Sequence, residues 1–316
     1  MLADSHIHLS HPSFDHTFPY LDQTEAGFVL RESGTREALI GQMQKAGIRF
    51  CVEPAIDLLS NERILALAKA WPGFLYPAAG IHPTRTWASS QGSAPAEKLR
   101  WKDRKRLRMY TQDPTVIAIG ETGLDYHLQR SEQHRLRQML WFVWQLQLAH
   151  RQKLPVILHI RDADRDALRI LRLFQSRLHG GVCHCFQGGA ALARTYTGLG
   201  LALGIGGALL QPESCAELED AIRVTPLRLL LLETDGPYVK PVCPLLSGKQ
   251  RRKARNTSLI LPAVAARIGE LKGISPQEVE RVTAENAARI FHIPLKDGGA
   301  ASPDAPDTCP KETLRS

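Results

Sequence analysis

Short apolar, β-branched runs alternate with longer segments of helical period from residue 1 to about residue 292. The runs lack a strict alternation of polar and apolar residues, which is typical of strands covered on both faces in a parallel sheet. We predict eight such strands, at residues 2–8, 49–54, 74–81, 116–121, 155–159, 181–186, 201–206 and 229–233. Helical segments separate them, and the clearest cover residues 131–153 and 164–179.

Capping residues mark the ends of several predicted helices. The segment 131–153 opens with Ser131, an N-cap residue followed by an acidic residue in the first turn. The segment 259–271 ends just before Gly273, which is placed to terminate a helix in the left-handed conformation. The segment 275–291 opens with Ser-Pro-Gln-Glu, which combines an N-cap serine, a first-turn proline and the glutamate of a capping box.

Eight strands alternating with helices is the count of a TIM (β/α)8 barrel, although an open, doubly wound sheet alternates in the same way. We predict a single-domain α/β barrel over residues 1–292, because the candidate chemistry described below lies at strand ends. Three segments read as additions: residues 11–33 as a loop over one rim, residues 85–106 as an insertion, and residues 293–316 as a disordered tail rich in Gly and Pro.

Imidazoles and carboxylates recur at the predicted strand ends. His6 and His8 are two residues apart in the first strand and therefore share one face. Later strands end at or near Glu121, His159, His184 and Asp235. A lone His-x-His pair is a weak signal. A barrel, however, collects strand ends around one axis, and buried charge is costly unless it is paired or bound to a cation. The repetition therefore predicts a metal site at the carboxyl ends of the strands.

Six nitrogen and oxygen ligands exceed the three protein ligands of a mononuclear catalytic zinc site. They suit two divalent ions about 3.5–4 Å apart with a carboxylate between them, and we predict Glu121 as that bridge and as a catalytic residue. The ligand types fit Zn, Mn, Co or Mg without selecting among them. Asp235 is predicted as both a ligand and the catalytic base, since a carboxylate at the last strand end can reach an ion and its water.

Two residues are predicted to bind substrate. His82 could hydrogen-bond a phosphate or the leaving group, and the alternative is a structural histidine in a turn. Arg161 could grip a phosphate with two hydrogen bonds. The alternative for Arg161 is an ion pair with Asp162, Asp164 or Glu121.

Two further carboxylates are predicted to orient metal ligands. Asp125 could instead cap the following loop, and Glu233 could instead pair with an arginine. Strand alternation predicts that Cys183 and Cys185 point away from the face of His184 and are buried thiols.

The chain of 316 residues has 40 Lys+Arg against 32 Asp+Glu, a formal net charge of +8. Its 43% hydrophobic and 23% charged content exclude wholesale disorder. Five cations fall within residues 249–255, soon after the last strand; they either line a channel for a nucleic-acid backbone or form a solvated loop. A second basic run, residues 98–108, is predicted as an exposed helix face.

The cysteines and the apolar stretches bear on the compartment. Six cysteines without a C-x-x-C pair indicate free thiols in a reducing cytoplasm. The amino terminus shows no signal-peptide pattern, and the least interrupted apolar stretch, residues 199–210, is shorter than the roughly 18 residues that would span a bilayer. We expect a cytoplasmic protein without membrane contact. The sequence does not determine the oligomeric state, and a monomer is favoured.

Seven motifs occur in a fixed order along the chain. They are H-x-H at residues 6–8, G-I-H-P at 80–83, G-E-T-G-L-D at 120–125, L-P-V-I-L-H-I-R at 154–161, H-C-F at 184–186, E-T-D-G-P at 233–237 and T-A-E-N-A-A-R-I-F at 283–291. Together they closely resemble the TatD-like metal-dependent deoxyribonucleases of the metallo-dependent hydrolase superfamily, over about residues 1–292. The resemblance implies a TIM barrel, a divalent-metal phosphodiesterase site and DNase activity, often 3′ to 5′. The family's metal-site pattern falls on His6, His8, Glu121, His159, His184 and Asp235.

The leading hypothesis is therefore a divalent-metal-dependent hydrolase that cleaves phosphodiester bonds of DNA as a 3′–5′ exonuclease, an endonuclease or both. A second hypothesis is a hydrolase with the same metal site that cleaves a different bond: a D-aminoacyl-tRNA ester, a small phosphoester or a cyclic amide. It stays open because a fold does not fix a substrate. A third is a catalytically silent nucleic-acid-binding protein. The retention of all six ligand types argues against the third.

Overall fold

The computed structural model describes residues 1–25, 27–86, 100–127, 131–211, 215–244 and 246–295. Eight parallel strands form one sheet in which they follow each other in sequence order, and two more form a separate antiparallel hairpin. The barrel strands are β1 (Leu2–Asp4), β4 (Ile48–Pro54), β5 (Leu75–Ala79), β6 (Ala118–Asp125), β7 (Val156–Arg161), β8 (Gly181–Cys183), β9 (Ala202–Ile205) and β10 (Leu230–Leu232). The hairpin strands are β2 (Phe18–Thr24) and β3 (Gly27–Gly34).

Helices connect the strands and cover the outside of the sheet. In the described part of the chain they are α1 (Arg36–Lys45), α2 (Leu58–Ala70), α3 (Arg104–Tyr110), α4 (Glu132–Gln152), α5 (Asp164–Phe174), α6 (Ala190–Gly198), α7 (Cys215–Val224), α8 (Gly248–Lys253), α9 (Leu261–Lys272) and α10 (Pro276–Phe291). None of these helices is long and apolar enough to cross a membrane.

The sheet closes between the segments that follow its first and last strands. The N–H of Ser5 donates to the carbonyl of Leu232 at 2.9 Å, and Ile7 forms a parallel bridge with Gly236. A doubly wound sheet would reverse its strand order at a switch point, whereas here the order never reverses. The predicted TIM barrel is confirmed, and the open-sheet alternative is excluded.

Helix α10 packs across the amino-terminal end of the barrel. Its side chains join an apolar cluster to which every barrel strand contributes, and the strand members are Ala3, Phe50, Val52, Ala78, Ala118, Ile157, Val182, Ala202 and Leu231. The Asn286 amide donates to the carbonyls of Leu227 and Leu230 at 2.8 and 3.0 Å, which ties α10 to the start of β10. Because this end is filled, a site inside the barrel can open only at the carboxyl ends of the strands.

Most predicted strands have different ends in the structure, and three of the differences change how the site is held. Strand β1 stops at Asp4, so His6 and His8 follow the strand; β6 continues past Glu121, and β8 stops at Cys183. The backbone of the segment after β1 donates hydrogen bonds both to strand β4 and to the segment that follows β10. The N–H of Ile7 donates to Val52 of β4, and that of His8 to Gly236, beyond β10. The closing seam therefore holds the His-x-His segment, a role that local alternation does not reveal.

The prediction of a loop over residues 11–33 is wrong, because β2 and β3 form a hairpin there. Phe18, Tyr20 and Leu21 on β2 are buried against the rim of the barrel. Strand β2 also pairs with a distant segment, through the bridge of Tyr20 with Arg255 and the N–H of Leu21 donating to the Arg255 carbonyl at 2.9 Å. This partner lies more than 200 residues away, so the local sequence does not display it.

The predicted helix ends are mostly confirmed. Ser131 accepts the N–H of His134 and Ser275 that of Glu278, while Gly273 ends α9 in the left-handed conformation with φ 67°. The predicted helix 164–179 is α-helical only to Phe174 and continues as a 3-10 turn. On α3, Lys105, Arg106 and Arg108 are exposed, as the prediction for residues 98–108 requires. Residues 87–99 of the predicted insertion and residues 296–316 of the predicted tail lie outside the described residues.

Candidate metal centre

All six predicted metal ligands meet at the carboxyl ends of the barrel strands. The Nε2 atoms of His6 and His8 are 3.2 Å apart, and they lie 3.7 and 3.4 Å from Oδ1 of Asp235. On the other side of the cluster, Nδ1 of His159 is 3.2 Å from Nε2 of His184. His6, His8, Glu121 and His184 are buried, whereas His159 and Asp235 are partly exposed.

Glu121 lies between the two halves of this cluster. Its Oε2 is 3.6 Å from Nε2 of His6 and 3.5 Å from Nε2 of His8. Its Oε1 is 3.0 Å from both Nδ1 of His159 and Nε2 of His184. The two carboxylate oxygens thus face different imidazoles, with His82 Nε2 as a third, more distant neighbour of Oε1 at 3.6 Å, and this arrangement suits a bridging carboxylate.

The spacing of these atoms fits divalent metal ions. Nitrogen and oxygen ligands about 2.0–2.2 Å from a tetrahedral ion lie about 3.3–3.6 Å from each other. The distances of 3.0 to 3.7 Å in the cluster fall around that separation. Within the described part of the chain, three sets of donors converge closely enough to share an ion: His6, His184 and Asp235; His6, His8 and Glu121; and His82, Glu121 and His159.

The charges within the cluster favour ionised carboxylates. Burial alone would raise the pKa of Glu121, but His82, His184 and His6 hold it well below its usual value. Burial opposes protonation of His184, yet Glu121 raises its pKa well above the usual range. Burial, together with the charge of His184, lowers the pKa of His6. The site is therefore strongly suited to cations.

A carboxylate backs each of the two imidazoles on the Oε1 side of Glu121. Asp125 Oδ2 lies 3.1 Å from Nε2 of His159, and Glu233 Oε1 lies 3.5 Å from Nδ1 of His184. Glu233 also accepts the backbone N–H of Cys185. A hydrogen bond of this kind fixes the ring orientation and the tautomer of a metal-binding histidine. His159 makes one with Asp125, whereas among the described residues Nδ1 of His184 makes only the 3.5 Å ion-pair contact with Glu233.

The two predicted substrate residues are placed differently. His82 Nδ1 accepts the N–H of Thr84 at 3.2 Å and so caps a 3-10 turn, while its Nε2 lies 3.6 Å from Oε1 of Glu121. His82 therefore both caps the turn and presents its Nε2 to the metal centre. Arg161 is exposed at the end of β7 and, among the described residues, forms no ion pair with Asp162, Asp164 or Glu121.

Comparisons with known proteins agree with this geometry. A family model described as TatD related DNase matches residues 3–292. The chain is 31% identical over 292 residues to a protein of Escherichia coli K12 named uncharacterized metal-dependent hydrolase YcfH, covering 92% of this chain and 96% of that one. It is 35% identical over 258 residues to a Rahnella protein named 3′-5′ ssDNA/RNA exonuclease TatD, covering 82% and 92%.

This chain belongs to the TatD-related DNase family. Among solved structures it is similar to YjjV, a TatD homologue of Escherichia coli K12, with a TM-score of 0.74 and 28% identity over 93% of this chain and 98% of the other. The resemblance seen in the sequence motifs is confirmed. The chain is accordingly a metal-dependent hydrolase.

Two buried carboxylates next to this TatD-family site were not predicted. Asp4 accepts the N–H groups of His6 and Thr234 at 3.2 and 3.1 Å, and also the hydroxyls of Thr234 and Ser258. Burial raises the pKa of Asp4 to about 7. Glu53 of β4 accepts the N–H of Ser10, just after His8. Position was a signal for Glu53, which lies near the carboxyl end of the predicted strand 49–54, but not for Asp4, which lies inside the predicted strand 2–8 and ends β1 only in the structure.

A glycine makes room for one of the orienting carboxylates. A Cβ atom at Gly204 would lie 2.0 Å from Oε2 of Glu233, so any side chain there would displace the carboxylate. Sequence reasoning did not single out this position. In the sequence, Gly204 is one more small residue in an apolar strand. The structure shows that its missing side chain leaves space for Glu233, which follows the neighbouring strand β10.

The basic run after the last strand forms helix α8 and the residues that follow it. Lys249, Arg251, Arg252 and Lys253 are exposed, and none of them has a carboxylate partner among the described residues. Lys240 donates to the Arg251 carbonyl at 2.7 Å and, with α8, lines a cavity of about 300 Å³. These four side chains, the α8 cations, therefore present positive charge without carboxylate partners among the described residues. Helix α8 leads directly to Arg255, which pairs with strand β2 of the hairpin.

The two cysteines that flank His184 differ. Cys183 is buried within β8, as predicted. Strand alternation does not extend to Cys185, because β8 has ended; this residue has φ 48° and is partly exposed. The cysteines whose side chains the structure describes, namely Cys51, Cys183, Cys185 and Cys243, are free thiols.

Proposed function

We propose that this TatD-family hydrolase cleaves phosphodiester bonds of DNA, as a 3′–5′ exonuclease, an endonuclease or both, and that it holds two divalent ions. One observation carries the proposal: Glu121 presents Oε2 to His6 and His8 and Oε1 to His159 and His184, at 3.0 to 3.6 Å. A pair of ions on either side of a carboxylate suits an in-line displacement at phosphorus.

The six residues His6, His8, Glu121, His159, His184 and Asp235 would hold the ions. Bound there, divalent ions lower the pKa of water and neutralise charge on the phosphate oxygens. Asp235 is the proposed base. Burial by itself raises the pKa of Asp235, but the hydrogen bond with His8 and the charge of His184 hold it below its usual value. Its carboxylate is therefore ionised at neutral pH and able to accept a proton from the attacking water.

His82 and Arg161 are proposed to contact the phosphodiester. Burial and the neighbouring His159 lower the pKa of His82 to about 3, so its imidazole is neutral. Because Nδ1 accepts the N–H of Thr84, the ring proton is on Nε2, which faces the site and can donate to a phosphate or leaving-group oxygen. Arg161 offers a guanidinium that can bind phosphate with two hydrogen bonds.

DNA as the substrate is supported by the α8 cations, which have no carboxylate partners among the described residues, and by relatives named 3′-5′ ssDNA/RNA exonuclease TatD. A polyanion backbone that lies over this surface would release counterions as it binds. The monomeric state and the cytoplasmic location expected from the sequence stay predictions.

The test is hydrolysis of end-labelled single- and double-stranded DNA with Mg, Mn or Zn, beside the Asp235→Asn variant. We expect laddering from the 3′ end or internal cuts with the wild type. Chelation should abolish cleavage, and Asp235→Asn should lower it by about 100-fold or more, as loss of a general base does. Cleavage that survives both treatments would overturn the proposal. No cleavage of DNA, with D-aminoacyl-tRNA hydrolysed in parallel, would move the activity to another bond.

A further inference from the structure

An exposed aromatic side chain lies beside the metal centre. Tyr238 follows Asp235 by three residues and is 47% exposed. Its ring centroid lies 6.2 Å from that of His8 and 5.5 Å from that of His11, at interplanar angles of 71° and 75°. Both contacts are near-perpendicular, and no described ring or guanidinium stacks parallel on Tyr238.

The backbone that carries this ring is held firmly. The N–H of Tyr238 donates to the Asp235 carbonyl at 2.8 Å, and the N–H of Asn256 donates to the Pro237 carbonyl at 3.2 Å. The buried Asn256 amide also donates to the carbonyls of Thr234 and Val239, at 2.8 and 3.1 Å. The same residues therefore position a metal-site carboxylate and the ring, so the distance between the two is largely fixed before any substrate binds.

The ring, and not the hydroxyl, is the feature that needs a partner. Among the described residues, the Tyr238 hydroxyl makes no hydrogen bond, so it is not a structural anchor. The other exposed aromatic residue in the described part, Trp101, stacks on Trp141 with centroids 5.2 Å apart. Tyr238 has no comparable stacking partner. An exposed, rigid aromatic ring beside a phosphodiester site is suited to stacking against a nucleobase.

We propose that Tyr238 is the stacking platform for the nucleobase next to the scissile phosphodiester of a single-stranded substrate. The inference rests on the proposed nuclease function and specifies its substrate as a nucleotide strand with an unpaired base at the site. Every base has a π face, so this contact adds affinity without a sequence preference. It would also disfavour duplex ends, whose bases must first unpair.

The experiment compares kcat/KM of the wild type, Tyr238→Phe and Tyr238→Leu on three single-stranded oligonucleotides. One carries normal bases throughout, one has an abasic terminal nucleotide, and one has an abasic penultimate nucleotide. On the normal strand, Tyr238→Leu should lose roughly 5- to 150-fold, the range that one stacked base contributes, and Tyr238→Phe less than about 3-fold. On one of the two abasic strands the difference between wild type and Tyr238→Leu should disappear. Trp101→Leu, which removes an aromatic ring elsewhere, should show the same ratio on all three strands.

Two outcomes would overturn the stacking role while leaving the nuclease intact: a Tyr238→Leu loss that is equal on all three strands, or a Tyr238→Phe loss as large as that of Tyr238→Leu. A wild type that cleaves none of the oligonucleotides would overturn the proposed function and this inference with it. Metal content of each variant, measured in parallel, should equal that of the wild type, since Tyr238 supplies no ligand; a lowered content would assign the loss to the metal site and contradict stacking.

Discussion

Asp235 and His6 are joined through both their backbones and their side chains. The N–H of Asp235 donates to the His6 carbonyl at 2.8 Å, and Oδ1 of Asp235 lies 3.7 Å from Nε2 of His6. The two residues follow the last and the first strand of the barrel, so the hydrogen bond that helps to close the sheet also sets the separation of two metal-site side chains. Closure of the barrel and assembly of the site are therefore one structural event.

Metal binding should accordingly stabilise the whole fold. A ligand at 100 times its Kd stabilises a protein by about 2.7 kcal/mol, which for a chain of this size raises Tm by roughly 4 °C. We expect that rise when Mn or Zn is added to chelator-treated protein, as measured by differential scanning calorimetry. His6→Ala should remove most of it. The control is His150→Ala, an exposed histidine that stacks on His179 away from the site, and it should keep the full rise. Equal Tm values with and without metal would contradict this prediction.

Gly204→Ala should impair the site more than the fold. The new Cβ would meet Oε2 of Glu233 and push the carboxylate away from His184, and loss of such an orienting contact reduces activity or metal affinity by about 10- to 100-fold. Overpacking should lower the free energy of unfolding by about 1–3 kcal/mol. Gly41→Ala is the matched control, because a Cβ atom added at Gly41, in helix α1, would have no other atom within 4 Å. It should stabilise the protein by about 0.5–1 kcal/mol and leave turnover unchanged. Wild-type turnover in Gly204→Ala would show that Glu233 does not orient His184.

Reversing two charges on α8 should weaken DNA binding in a salt-dependent way. Each lost phosphate contact lowers the slope of log K against log salt by about 0.9 for duplex DNA and about 0.7 for single strands. The double variant Arg251→Glu, Arg252→Glu should therefore show a slope smaller by about 1.4 for single strands and about 1.8 for duplex DNA in fluorescence anisotropy. The control is the double variant Lys102→Glu, Lys105→Glu, which reverses the same amount of charge. Both lysines are exposed; Lys105 lies in helix α3 and Lys102 just before it. If both double variants lose equal affinity, net charge and not the α8 surface is responsible.

His82→Gln should lower kcat while leaving the metal content unchanged. The neutral imidazole presents its Nε2–H to the site, and loss of one positioned hydrogen-bond donor costs about 10²- to 10³-fold in rate. Metal analysis of the purified variant discriminates between two roles, because His82 also converges with Glu121 and His159. A stoichiometric loss of metal would make it a ligand and overturn the assignment as a substrate contact.

The sequence alone was enough to predict the barrel and the six imidazole and carboxylate side chains that cluster at the carboxyl ends of its strands. Parallel, two-sided burial leaves continuous apolar runs, and the barrel places whatever follows each run around one axis, so Glu121 and His159 could be assigned from position alone. The caps at Ser131 and Ser275 were equally readable, because capping depends on residues only a few positions apart.

Contacts between distant segments required the tertiary structure. The β2–β3 hairpin depends on Arg255, the carboxylate of Glu233 on the absence of a side chain at Gly204, and the placement of His6 and His8 on the segment after β10. Local periodicity reports only which face of an element is apolar. Which atoms meet across the closing seam is fixed when the first and last strands come together, because hydrogen bonds and close packing there join residues more than 200 positions apart.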